Sequence, residues 1–155
     1  MKGWLKAGLV GGVVGIVLTI PAILMFYLPI LVGLFMTTCA STLFLLLYPG
    51  VGILAAYLSP PPRTPKQGGI DGALAGLIAF SLDSLATFAL ILIPILTGKY
   101  EHYVLQILPW IPRDVFETSF VPMIVVFIIS LLINILIGIL FSALGGLVFA
   151  SAKKE

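Results

Sequence analysis

The chain has 155 residues, of which 61% are hydrophobic and only 9% charged, and its formal net charge is +2. Soluble globular chains carry roughly a quarter charged residues, so a water-exposed domain is excluded. Eight basic residues scattered among six acidic ones form no basic stripe, which argues against nucleic-acid recognition, and so few titratable groups disfavour most enzyme chemistry.

Charge placement locates the elements. No formal charge occurs between Lys6 and Arg63, or between Glu117 and Lys153. Such stretches must face lipid, and the length permits about four crossings of about 20 residues each.

Lys2 and Lys6 followed by an apolar run resemble the start of a signal peptide. The run is far longer than such an apolar core, and no small-x-small cleavage site follows, so a retained first helix is expected over 5–28. The uncharged run from Ala7 to Pro62 covers 56 residues, roughly 84 Å as one helix against a ~30 Å hydrocarbon core. It must cross twice. Pro29 is the natural break, since proline lacks the N–H and clashes with the preceding turn, and a second helix is expected over 31–58. Pro21 and Pro49 should kink these helices without ending them. The single cysteine, Cys39, allows no intrachain disulfide and should behave as a small core residue.

Residues 59–69, Ser-Pro-Pro-Pro-Arg-Thr-Pro-Lys-Gln-Gly-Gly, read as a stiff extended connector. A third helix is expected over 70–95. The only sizeable loop, 97–120, carries Tyr100, Tyr103, Trp110, Phe116 and Phe120 and a Leu-Pro-Trp-Ile-Pro stretch, which suits an interfacial segment. A fourth helix is expected over 122–150, with Pro122 tolerated in its first turn. The chain therefore reads as an all-α, integral membrane four-helix bundle forming a single transmembrane domain. A weak repeat relates Ala7–Val13 to Asp71–Leu77, and Val51–Leu54 more loosely to Gly145–Val148. It would make the bundle two duplicated helical hairpins in parallel orientation, with chance likeness among glycine-rich helices as the competing explanation.

Lys2, Lys6, Arg63, Lys66, Lys153 and Lys154 fall on one side of these crossings, and Lys99 and Arg113 on the other. The positive-inside rule then puts both termini and the connector in the cytoplasm and the 97–120 loop outside. Glycine-rich four-helix membrane proteins of prokaryotes are similar in composition and topology, which implies a prokaryotic plasma membrane; no motif carries the likeness further.

Small and polar residues recur at helical spacing: Gly8, Gly12, Gly15, Thr19 and Ala22; Thr38, Ser41 or Thr42, Gly52 and Ala56; Gly72, Gly76, Ala79, Asp83 and Thr87; Ser130, Asn134, Gly138, Ser142 and Gly145. Steps of three and four keep each set on one face. Such faces let backbones approach closely where lipid is as apolar as leucine, and the competing reading is the wall of a pore. Most glycines fall in the cytoplasmic halves and most phenylalanines in the outer halves. The bundle should therefore be tight inside and open outside, with an apolar cleft in the outer half beneath the 97–120 loop.

Asp83 is the one acid inside a crossing, a placement that costs roughly 2.5–3.5 kcal/mol on insertion scales and demands a partner, a proton or water. Counting from the cytoplasmic helix ends puts Asp83, Asn134 and Thr19 at similar depth, with Ser41 and Thr42 nearby. These five form the candidate midplane cluster, either interhelical glue or a cation or proton site. His102 has only Glu101 beside it, too few ligands for a metal. Ser81 and Ser84 flank Asp83 but have no base near in sequence. No cofactor motif is present, and no metal or cofactor is expected. The expected function is a non-enzymatic binding or accessory subunit, in a homo-oligomer or a larger membrane complex, with membrane lipid around it. A small transporter or channel using Asp83 is the alternative; a lipid-modifying enzyme built on Glu101, His102, Asp114 and Glu117 is the remote one.

Overall fold

Pro29 and the Thr64–Pro65 pair set the main boundaries. The computed structural model describes residues 2–61, 64–107, 110 and 120–153. Helix α1 spans Gly3–Leu24 and ends in a 3₁₀ turn, Met25–Tyr27; Pro29 then caps α2, Ile30–Leu58. Helix α3 spans Pro65–Leu96, α4 is the short Lys99–Ile107, and α5 spans Phe120–Ala152. Four of the five are long and apolar enough to cross a membrane, so the chain is an all-α integral membrane bundle.

Two boundaries differ from the sequence expectation. Helix α3 starts five residues earlier than Ile70, because Thr64 accepts a 3.2 Å hydrogen bond from the Gln67 N–H and Pro65 occupies the first turn. Both are strong helix-start signals, and Gly68 and Gly69 become helical instead of belonging to the connector. The 97–120 loop contains α4, whose Tyr100 and Tyr103 rings pack on Phe26 at 5.7 and 5.2 Å between centroids. This segment is thus held against the end of the bundle. Residues 108–109 and 111–119, with Arg113, Asp114, Phe116 and Glu117, lie outside the described residues, as do Arg63 and Lys154.

Helix α1 packs on α2 and α3, and α5 packs on the same two, so α1 and α5 occupy opposite corners. Gly8 lies beside Ala75 and Gly15 beside Asp83, which shows α1 and α3 running in the same sense; Pro49 beside Gly145 and Tyr57 beside Phe149 show the same for α2 and α5. The two hairpins are therefore parallel. The positions related by the sequence repeat have different neighbours, Gly8 meeting α3 and Gly72 meeting α5.

The termini end of the bundle is the tight one. Its core is built from Ala7, Val51, Ala55, Ala75 and Ala79 around the Phe80 ring, and the alanines allow the close backbone approach on which membrane helices depend. Gly8, Gly12, Gly15, Gly72, Gly76, Gly138, Ser142 and Gly145 are all buried there or at mid-depth. At Gly52 any Cβ would collide with the Ser142 carbonyl, and at Gly138 with the Phe80 ring. Ser142 also ties α5 to α2 by donating a 2.7 Å hydrogen bond to the Tyr48 carbonyl. Toward the loop end the contacts pass to larger side chains, Phe26, Ile91 and Tyr103.

Helix α2 departs most from the expected pattern. Thr38, Ser41 and Thr42 are exposed, each donating to the carbonyl four residues earlier, while Gly33, Ala40, Val51, Gly52, Ala55 and Ala56 are buried. A hydroxyl satisfied by its own helix backbone has no need to face inward. Cys39 is likewise exposed, not a core residue, because it lies one position round the helix from buried Ala40.

Candidate midplane cleft

Asp83 is 3% exposed and is brought to the bundle axis by the face of α3 that also buries Gly72, Gly76 and Ala79. Its Oδ1 accepts a 2.9 Å hydrogen bond from the Thr19 hydroxyl of α1. Thr19 is 3.4 Å from the Thr87 hydroxyl, one turn beyond Asp83. Gly15 leaves the room that Asp83 fills: a Cβ there would lie 3.1 Å from the Asp83 Cβ.

Asn134 of α5 lies beside the Asp83 carboxyl and accepts a short hydrogen bond from the Tyr48 hydroxyl of α2. All four long helices thus contribute a polar group: Thr19, Tyr48, Asp83 with Thr87, and Asn134. The Tyr48 ring stands edge-on to Phe80, with centroids 4.7 Å apart, which fixes its hydroxyl toward Asn134.

These groups line one side of a cleft of about 470 Å³, whose remaining walls are Ala22, Phe44, Leu45, Phe127 and Leu131 together with Ser41 and Ser130. The cleft lies at mid-depth and extends toward the loop end, away from the glycine contacts of the termini end. Its chemistry is that of a greasy slot with one carboxyl, suited to an apolar body carrying a donor or a positive charge.

Of the five residues expected at the midplane, Thr19, Asp83 and Asn134 come together, and Ser41 lines the same cleft. Thr42 does not: it is exposed on α2 and bonded to the Thr38 carbonyl. Sequence reasoning missed Tyr48. Its signal is a phenolic hydroxyl deep in an apolar span, a group that takes a partner wherever it is buried. His102 is exposed on α4, its Nε2 2.8 Å from the Gln106 side-chain nitrogen. Among the described residues no group of three or more His, Cys, Asp or Glu could hold a metal ion.

Comparison with known protein families, curated proteins and solved structures gives no match.

Proposed function

We propose that the protein is a non-catalytic membrane binding protein that takes a small cationic amphiphile, an alkyl chain ending in an amine, into the cleft beside Asp83. The observation that carries this reading is a single buried carboxyl in the wall of a cavity that pairs a cluster of hydroxyls and an amide with an apolar face of Ala22, Phe44, Leu45, Phe127 and Leu131. The apolar walls favour an alkyl body. Asp83 favours a cationic head, since a carboxylate in a low-dielectric site gains most from a charged hydrogen-bond donor. The groups around it are hydroxyls and an amide, with no second acid or base in the cleft wall for proton-transfer chemistry.

Within the membrane the chain serves as a subunit, in a homo-oligomer or with other membrane proteins. Its cation distribution supports a topology with the termini in the cytoplasm and the cleft opening toward the outside. A second reading, transport of the same ligand class, is favoured by the contrast between the tightly packed termini end and the open loop half, which corresponds to one half of an alternating-access cycle.

The test uses decylamine, with decane as control, in equilibrium dialysis against protein-containing and protein-free nanodiscs. The expected result is saturable uptake of decylamine at one equivalent, weakened at least about tenfold by Asp83→Asn. Equal uptake of amine and alkane, or no effect of the substitution, would overturn the reading.

A further inference from the structure

A second cavity, of about 430 Å³, lies between α3 and α5 and is separate from the Asp83 carboxyl. Ser81, Ser84, Leu85 and Phe88 form the α3 wall, faced by Ile128 and Leu132 of α5. Leu85, Ile128 and Leu132 are exposed on the outer surface of the bundle, so the groove opens sideways to lipid.

Ser84 gives this groove its character. It is 3% exposed, and its Oγ is the one buried side-chain polar atom without a hydrogen-bond partner among the described residues. Thr19, Thr37, Ser41 and Ser130 donate to the carbonyl four residues earlier; Ser84 does not. A buried hydroxyl without a partner costs free energy that a bonded ligand oxygen would offset.

Depth restricts what can supply that oxygen. Ser84 is 13 residues past Asp71 and 12 before the α3 end at Leu96, about 20 Å along the helix from the one and about 18 Å from the other. Glycerolipid ester carbonyls lie at the edge of the ~30 Å hydrocarbon core, about 15 Å from its centre. An ordinary lipid tail fills the groove but brings no acceptor to this depth.

We propose that the α3–α5 groove binds an uncharged lipophilic molecule with a carbonyl oxygen inside its apolar body, and that the Ser84 hydroxyl donates to that oxygen. The site is independent of the Asp83 cleft in ligand and in chemistry, one offering a donor and the other a carboxylate.

The test uses 7-tridecanone, ¹³C-labelled at its carbonyl, added to the protein in nanodiscs and followed by infrared spectroscopy, with tridecane as competitor. The expected result is a carbonyl band displaced to lower frequency that saturates at one equivalent per chain and resists competition by tridecane. Ser84→Ala should abolish the displacement and weaken binding three- to tenfold without lowering the unfolding temperature of the ligand-free protein, since the hydroxyl has no partner to lose. Ile128→Trp should block the groove and leave decylamine binding at Asp83 intact, because Ile128 does not line that cleft. An undisplaced band, a displacement that persists in Ser84→Ala, or failure of the ketone to bind would overturn the proposal.

Discussion

Thr19 of α1 places one hydroxyl between two acceptors, 2.9 Å from Oδ1 of Asp83 on α3 and 3.2 Å from the Gly15 carbonyl of its own helix. The hydroxyl thereby joins two helices that run in the same sense, at mid-depth in the bundle. Removing it leaves the carboxyl short of a donor while the Gly15 carbonyl keeps its helical bond. Interhelical hydrogen bonds in membrane bundles average about 0.6 kcal/mol and reach about 1.7 kcal/mol. Thr19→Val should therefore cost about 1 kcal/mol, and a double-mutant cycle with Asp83→Ala, which removes the acceptor, should show coupling of similar size. Additive effects in reversible unfolding would show that the bond contributes nothing.

Asp83→Asn should leave the fold intact. The amide keeps an acceptor for Thr19, and its new N–H₂ can serve the side of the group beside Asn134. Unfolding temperature in detergent should fall by only a few degrees. Asp83→Leu should unfold far more readily, since it adds bulk at the close Gly15 contact and strands the hydroxyls. Equal stabilities of the two variants would contradict this packing.

Two glycines of α2, two positions apart, make a controlled pair. A Cβ at Gly50 would meet nothing within 4 Å, whereas at Gly52 it would run into the Ser142 carbonyl. Gly50→Ala should be neutral or stabilise by up to about 1 kcal/mol through helix propensity. Gly52→Ala should destabilise by about 1–3 kcal/mol through overpacking, as should Gly76→Leu, while Leu31→Ala on the outer surface should matter little. Equal thermal stability across the four variants would rule out a bundle tight at its termini end.

Topology is tested by cysteine placement in a Cys39→Ala background. Gln67→Cys should be protected from an impermeant thiol reagent in intact cells and His102→Cys should react, as both side chains are exposed at opposite ends of the bundle. The reverse pattern would overturn the orientation read from the cations.

Much of this was legible in the sequence because membrane burial leaves few ways to treat a polar group. Depth can be counted from helix ends, so the sequence alone puts Asp83, Thr19 and Asn134 at one level. The face of α2 was not legible. Thr38, Ser41 and Thr42 satisfy their hydroxyls on their own backbone, so their polarity gives no direction. Tyr48 was hidden for the opposite reason: its ring counts as apolar bulk in a hydropathy pattern, while its hydroxyl completes the network through Asn134. The start of α3 was written in Thr64-Pro65, a cap signal masked by the prolines and glycines around it.

The central claim is that Asp83 meets a ligand head in the cleft. The most direct measurement is the ¹³C resonance of the Asp83 side-chain carboxyl in labelled protein in nanodiscs, assigned by its loss in Asp83→Asn. The account predicts that this resonance shifts and saturates as decylamine is added, and stays still with decane. A resonance unmoved by decylamine at saturating concentration would contradict it.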